Sequence, residues 1–279
     1  MKVTIPATLE DALVDPQATF LAGGTDLMVG INFGRERPEH VVSIRTMAEL
    51  QQVSVDGRYR IGGGATYTRI LEALGERSLA LVQAARTIGS PQIRNAGTMG
   101  GNLGTCSPAG DTLPVLAALD ATVVLRSSAG ERRVPFSAFM FGPRKSERKP
   151  GEIVHSVEWE EAGPAQAFLK AGTRNAMVIA VASLAMVVDR RQRVVRVALG
   201  SVGPTILRAG EAEELAAGLF EESGWERPLQ ASDAAVERFG ELAAAAARPI
   251  DDQRGTARYR RHVVAVMARR ALARTGAAA

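Results

Sequence analysis

Two glycine-rich segments hold the residues best suited to chemistry. The first reads Leu21-Ala22-Gly23-Gly24-Thr25-Asp26-Leu27-Met28. The second reads Asn95-Ala96-Gly97-Thr98-Met99-Gly100-Gly101-Asn102-Leu103-Gly104-Thr105-Cys106-Ser107-Pro108-Ala109-Gly110-Asp111. Consecutive glycines let a backbone approach a ligand closely, and free amides at a helix start suit a phosphate. The second segment adds hydroxyls, the Asn102 amide and the Asp111 carboxylate. Taken singly, each segment is also an ordinary strand-to-helix turn. Neither contains the Gly-x-x-x-x-Gly-Lys of a P-loop or the strict Gly-x-Gly-x-x-Gly of a Rossmann dinucleotide site, so both classes are disfavoured. Two separate loops suit a pyrophosphate held from both sides.

The rest of the chain offers little reactive chemistry. Cys106 is its one cysteine, and His40, His155 and His262 are far apart among 279 residues. A metal site of His and Cys, an internal disulfide and an intrinsic iron–sulfur cluster are therefore excluded as expectations. Any redox reaction must be carried by an organic cofactor, and a dinucleotide such as FAD meets the pyrophosphate requirement. The chain carries 34 Lys and Arg against 30 Asp and Glu, a net charge of +4, with 46% hydrophobic residues. That composition excludes wholesale disorder. The charged run from Gly142 to Gly151 is bracketed by Pro and Gly and has no interleaved aromatics. It reads as a solvated loop and not as a nucleic-acid surface. Arg258, Arg260, Arg261, Arg269 and Arg270 near the C-terminus read as a solvated face or a subunit contact. The longest apolar stretch, 178–188, is far shorter than the ~20 residues that span a bilayer. No apolar run follows Met1, because Glu10, Asp11 and Asp15 intervene. A cytoplasmic protein without membrane insertion is expected.

The elements that must position these loops follow from periodicity and turn chemistry. Residues 18–22 read as a buried strand ending at Gly23-Gly24. Residues 25–32 then read as a helix with Thr25 or Asp26 as its N-cap. Residues 40–44 are a further short apolar run. Val53–Val55 and Tyr59–Ile61 flank Asp56-Gly57, a strong hairpin signal. Residues 66–74, 79–86 and 111–119 have helical spacing. Residues 121–126, 132–134 and 153–159 read as strands. Beyond about residue 163, three consecutive strands are expected at 165–170, 178–189 and 194–200. Helices are expected at 210–219, 230–247 and 256–273.

Ala22-Gly23-Gly24-Thr25-Asp26-Leu27, Thr98-Met99-Gly100-Gly101-Asn102-Leu103 and Ser107-Pro108-Ala109-Gly110-Asp111 together resemble the FAD-binding medium subunit of the xanthine dehydrogenase and carbon monoxide dehydrogenase family of molybdenum hydroxylases. The likeness continues through Pro150–Val154 and Ala167–Gly172, so it covers essentially the whole chain. It implies an α+β fold: a vanillyl-alcohol-oxidase (PCMH) type FAD-binding domain of two α/β subdomains at residues 1–162, divided at about residue 55. A C-terminal α+β domain of a three-stranded sheet plus helices would follow at 163–279. By the same resemblance, Ala22, Gly23, Gly24, Thr25, Asp26 and Leu27 would lie along the pyrophosphate, with Thr98, Gly100, Gly101 and Asn102 on its other side. Asp111 would hold a cofactor hydroxyl or amine. Ile88 and Val154 would be cofactor contacts, and Lys170 would lie near the flavin, although a structural salt bridge is an equal reading for that lysine.

The resemblance further implies noncovalent FAD, with Cys106 a small buried residue and His155 part of a strand. Molybdopterin and two [2Fe–2S] clusters would sit in a large and a small partner subunit, assembled as a dimer of heterotrimers. No residue of this chain would be catalytic and none would bind a metal. The alternatives from the residues are a stand-alone FAD-dependent oxidase or dehydrogenase and a structural subunit with an idle flavin site. Neither the organic substrate nor the electron acceptor can be read from this sequence.

Overall fold

The computed structural model describes residues 1–277. The first elements in chain order are β1 (Lys2–Thr4), α1 (Leu9–Ala12), β2 (Thr19–Leu21), α2 (Leu27–Asn32), β3 (His40–Ser43), β4 (Val53–Val55) and β5 (Arg58–Gly62). Four helices follow, α3 (Tyr67–Leu74), α4 (Leu79–Thr87), α5 (Pro91–Ala96) and α6 (Met99–Thr105), with α7 (Leu113–Ala118) after them. Then come β6 (Thr122–Ser127), β7 (Gly130–Pro135), β8 (Met140–Gly142), β9 (Lys145–Ser146) and β10 (Ile153–Glu160). The last are β11 (Gln166–Ala171), β12 (Ala182–Asp189), β13 (Val194–Gly200), β14 (Leu207–Arg208), α8 (Gly210–Ser223), α9 (Asp233–Ala246) and α10 (Ala257–Ala277).

The chain divides into two compact units. One comprises residues 1–73, 89–107 and 121–160, and the other comprises 74–88, 108–120 and 161–279. In the first unit, β1-β3-β2 form a parallel three-stranded sheet. Its core gathers Leu9, Leu13, Val42, Ile44, Met47 and Leu50. His40 ties this sheet to the loop after α1, with Nδ1 2.6 Å from Asp15 and Nε2 2.9 Å from the Thr4 hydroxyl.

A second sheet, β4-β5-β10-β6-β7, is antiparallel throughout. The Asp56-Gly57 turn joins β4 to β5 as the dipeptide predicts, with Gly57 at φ +64. Alternation buries Tyr59 and Ile61 of β5 on one face. There Tyr59 stacks on its cross-strand partner Trp159 at 5.2 Å between ring centroids. On the other face Arg58, Arg60 and Arg133 converge on Glu158. That carboxylate is 4% exposed, and three guanidiniums compensate its loss of water.

The second unit is built on β11-β12-β13-β14. The expected three strands are present, and the two-residue β14 adds a fourth. All eight residues of β12 are buried, which requires cover on both faces of the strand. Ala182, Leu184, Met186 and Val188 join a core with residues of α8, α9 and α10. Helices α4 and α7 also pack on this sheet, which is the physical reason residues 74–88 and 108–120 belong to this unit. Arg260 of α10 is 3% exposed and saturates its guanidinium on Asp252 and on the carbonyls of Val181 and Ser201.

Three local expectations need correction. The segment around Met99–Thr105 is a helix, not an open glycine loop: Thr98 caps it by accepting from the Gly101 amide at 3.0 Å. The strand expected from residue 178 begins at Ala182. Residues 140–146, which overlap the start of the loop expected at 142–151, form the β8–β9 hairpin.

Candidate functional site

In the first unit the first glycine segment leaves β2 and enters α2. Gly23 lies against the backbone of the second segment so closely that a Cβ there would fall 1.7 Å from the Ala96 carbonyl oxygen. Gly24 has φ +72, the left-handed region in which a side chain is strained. These glycines are thus required by backbone approach and by conformation. Asp26 takes the N-cap position of α2 but makes no capping hydrogen bond. Its carboxylate instead accepts from the Thr105 hydroxyl at 3.2 Å and from Arg144 at 3.4 Å.

The second segment is assembled in the same manner. Ser90 and Pro91 start α5, with the Ser90 hydroxyl accepting from the Ile93 amide. Gly97 and Thr98 lead into α6, which ends at Cys106 in a left-handed conformation. Gly100 packs on Gly63: its amide donates to the Gly63 carbonyl at 2.8 Å, and a Cβ on Gly100 would lie 2.6 Å from that oxygen. A Cβ on Gly63 would in turn lie 1.9 Å from the Val154 carbonyl. Gly100, Gly63 and Val154 therefore form a seam of touching backbones, and β10 bulges between Val154 and Ser156 where they meet. The α6 residues Gly101 and Gly104 are exposed. With α2 and α6 only six and seven residues long, neither offers much of a helix dipole. In the second segment the amides of Met99, Gly100, Gly101 and Asn102 already donate to Ala65, Gly63, the Thr98 hydroxyl and the Thr98 carbonyl, so it presents its glycine surface and side chains and not free amides.

The structure brings together Ala22–Leu27, Thr98, Gly100, Gly101, Asn102 and Val154 within this unit. Ile88, Asp111 and Lys170 belong to the second unit. There Lys170 Nζ donates to Asp111 Oδ2 at 2.5 Å and to the Thr87 carbonyl at 3.3 Å. The Thr87 hydroxyl also reaches Asp111 Oδ2 at 3.3 Å. Asp111 is 7% exposed, and burial raises its pKa, with Lys170 acting in the opposite direction. Its other oxygen, Oδ1, is buried with no hydrogen-bond partner. An orphaned buried acceptor costs about 1–3 kcal/mol and is retained where a ligand donor completes it. Ile88 follows α4 directly and is half-buried.

Cys106 is buried, and burial pushes its thiol up to about 11, so it carries little thiolate at neutral pH. Burial, and after it Arg60, lowers the His155 pKa and keeps that imidazole neutral. Sequence reasoning missed Gly63, Thr87 and Arg144. Gly63 stands in the run Gly62-Gly63-Gly64, which was a readable signal. The other two carry none.

In the first unit the glycine segments pack backbone on backbone, and in the second a buried carboxylate keeps one spare acceptor. The protein is of the FAD-binding class. The chain belongs to the family of FAD-binding domains in molybdopterin dehydrogenases, whose model matches residues 1–159; the CO dehydrogenase flavoprotein C-terminal domain matches residues 167–275. It is similar to the nicotinate dehydrogenase FAD-subunit of Eubacterium barkeri, at 39% identity over 190 residues covering 63% of this chain and 64% of that one. It is 31% identical to the xanthine dehydrogenase FAD-binding subunit of Escherichia coli O157:H7, over 98% of this chain and 95% of that one. Among solved structures it resembles the reconstituted CO dehydrogenase from Oligotropha carboxidovorans, with TM-score 0.88 and 25% identity over 100% of this chain and 98% of that one. Among the described residues no helix is long and apolar enough to cross a membrane, and no cluster of three or more His, Cys, Asp or Glu forms a metal site.

Proposed function

We propose that this chain is the electron-transferring flavoprotein subunit of a heteromeric molybdenum hydroxylase, holding FAD noncovalently. Bound FAD supplies a centre that takes electrons singly from [2Fe–2S] clusters of a small subunit and releases them in pairs to an external acceptor. The chain's own residues bind and orient that cofactor. In the first unit, the backbone of Ala22–Leu27 receives the pyrophosphate against the small-residue surface of Thr98, Gly100, Gly101 and Asn102, and Val154 is a further contact. In the second, Ile88 is an apolar contact and Asp111 Oδ1 accepts from a cofactor hydroxyl or amine. Lys170 fixes Asp111 and adds positive charge beside the cofactor. The 1–162 and 163–279 division is proposed as the domain organisation, the protein as cytoplasmic, and the complex as a dimer of heterotrimers with a large molybdopterin subunit.

The observation that carries the reading is the Gly23–Ala96 approach, which sets the two glycine segments backbone against backbone with no room for a side chain between them. The likeness to FAD-binding subunits of nicotinate and xanthine dehydrogenases supports an electron relay over an enzyme acting on the organic substrate. The experiment is affinity purification of the tagged chain from its host, with mass identification of partners and metal analysis. Two partners, one with molybdenum and one with iron–sulfur clusters, are expected. A flavin-loaded chain that isolates alone and oxidises a substrate would overturn the reading.

A further inference from the structure

Asp26 lies in the first glycine segment and Thr105 in the second, and one residue from a distant part of the sequence contacts both segments. The β8–β9 hairpin delivers Arg144 at its turn. The guanidinium reaches Asp26 Oδ2 at 3.4 Å, at the start of α2, and Glu36 Oε1 at 3.3 Å. Glu36 lies just beyond α2, where its amide donates to the Gly30 carbonyl at 3.2 Å. One fork therefore grips α2 from both ends, which the fixed, planar donor set of arginine permits and a lysine does not. The Arg144 backbone holds the C-terminal end of α6: its amide donates at 3.0 Å to the carbonyl of Cys106, the left-handed C-cap. The Cys106 thiol returns a bond to the Lys145 carbonyl at 3.4 Å. Asp26 closes the arrangement by accepting from Thr105 at the end of α6.

Arg144 itself holds φ +59. A non-glycine residue in that region is strained, and strain of this kind marks a position fixed by its surroundings. Its side chain is 64% exposed and Asp26 is 48% exposed. Exposed ion pairs at these distances add little to folding stability. What the contacts do is couple α2 and α6, the helices of the two glycine segments.

We propose that Arg144 is a positioning residue for the cofactor: it sets the spacing of the two glycine segments and so the affinity for FAD, an inference that rests on the FAD-binding reading above. It touches no cofactor atom in this account and acts through Asp26, Glu36 and the Cys106 carbonyl.

The test is equilibrium titration of FAD into the full-length purified chain, read by quenching of flavin fluorescence, together with thermal unfolding of the FAD-free protein. Arg144→Gly is the main variant, because glycine accepts the left-handed backbone and keeps the amide bond to Cys106 while removing the guanidinium. FAD dissociation is expected to weaken by roughly fivefold to tenfold, the size of one or two modest hydrogen bonds. The FAD-free melting temperature should stay level or rise, a split that a merely structural arginine would not produce. Arg144→Lys should recover part of the affinity. In the Asp26→Asn background, Arg144→Gly should cost clearly less than it does alone, since both changes break one link. Arg144→Gly binding FAD within about twofold of the parent would overturn the proposal, as would full additivity with Asp26→Asn. A parent chain that binds no FAD would overturn the flavoprotein reading itself, so the two failures are distinguishable.

Discussion

Gly23→Ala tests the cradle with a single methyl group. The added carbon would sit 1.7 Å from the Ala96 carbonyl oxygen, 2.5 Å from the Ala96 carbonyl carbon and 3.1 Å from the Gly97 nitrogen. Contacts below 3.0 Å are not tolerated, so the two backbones must separate by about 1.3 Å. All three neighbours are main-chain atoms, so no side chain can rotate aside. Overpacking of this kind costs about 1–3 kcal/mol of stability, and backbone on both sides argues for the upper end. The same displacement pulls loop amides out of register with a bound pyrophosphate. Loss of one hydrogen bond to a charged oxygen costs about 1.5–3 kcal/mol. That converts to roughly a tenfold to hundredfold weaker Kd. The assay is fluorescence titration with FAD beside calorimetric unfolding of the free chain. Gly218→Ala is the matched control: it is exposed within α8 and has open space around its Cβ position. It should raise stability by about 0.5–1 kcal/mol and leave FAD binding alone. Gly23→Ala with parental affinity and parental stability would refute the reasoning, because the close approach would then not shape the site.

Further predictions follow from the same geometry. Gly24→Asp should abolish measurable FAD binding, since it adds backbone strain at φ +72 and a carboxylate beside the pyrophosphate; titration reads it directly. Asp111→Asn should lower the melting temperature, because it leaves Lys170, whose side chain is 8% exposed, without its ionic partner; breaking such a pair costs about 3–5 kcal/mol. Adding Lys170→Met should restore most of that stability but not the FAD affinity, and a double variant that binds FAD like the parent would contradict the role of Asp111. Burial works to raise the Glu158 pKa, but Arg133, Arg58 and Arg60 outweigh it and hold the carboxyl below its ordinary 4.5. A lowered carboxylate adds stability that is complete above the unfolded value and lost as pH falls through the folded one. Urea unfolding should therefore weaken progressively below about pH 4.5, and Glu158→Gln should flatten that dependence; an unchanged slope would count against the three-arginine cage.

The glycines proposed to lie at the cofactor were legible because backbone approach leaves a mark in sequence: Gly23, Gly24 and Gly100 are glycines for reasons of space or conformation. The Asp56-Gly57 hairpin and the buried run of β12 were legible for the same local reasons. Arg144 was not, because nothing in Gly-Pro-Arg-Lys distinguishes a solvated turn from a strut. Its partners Asp26 and Glu36 lie more than a hundred positions away, and only the fold brings them together. Helix α6 was hidden by its own glycines, which lower helix propensity, while the Thr98 cap and the Gly63 contact compensate. The spare oxygen of Asp111 depends on how Lys170 and Thr87 divide its partner atom, which is geometry beyond any motif. The two compact units interleave along the chain because β12 needs cover on both faces, a tertiary demand that no local signal announces.

The central claim is that this chain holds FAD by noncovalent contacts of its own backbone and buried carboxylate. The most direct measurement is the flavin content of the purified full-length chain before and after acid precipitation. The account predicts a yellow protein with a single FAD per chain, all of it released intact into the supernatant. A chain that stays colourless after incubation with FAD, or flavin that remains in the precipitate, would contradict it.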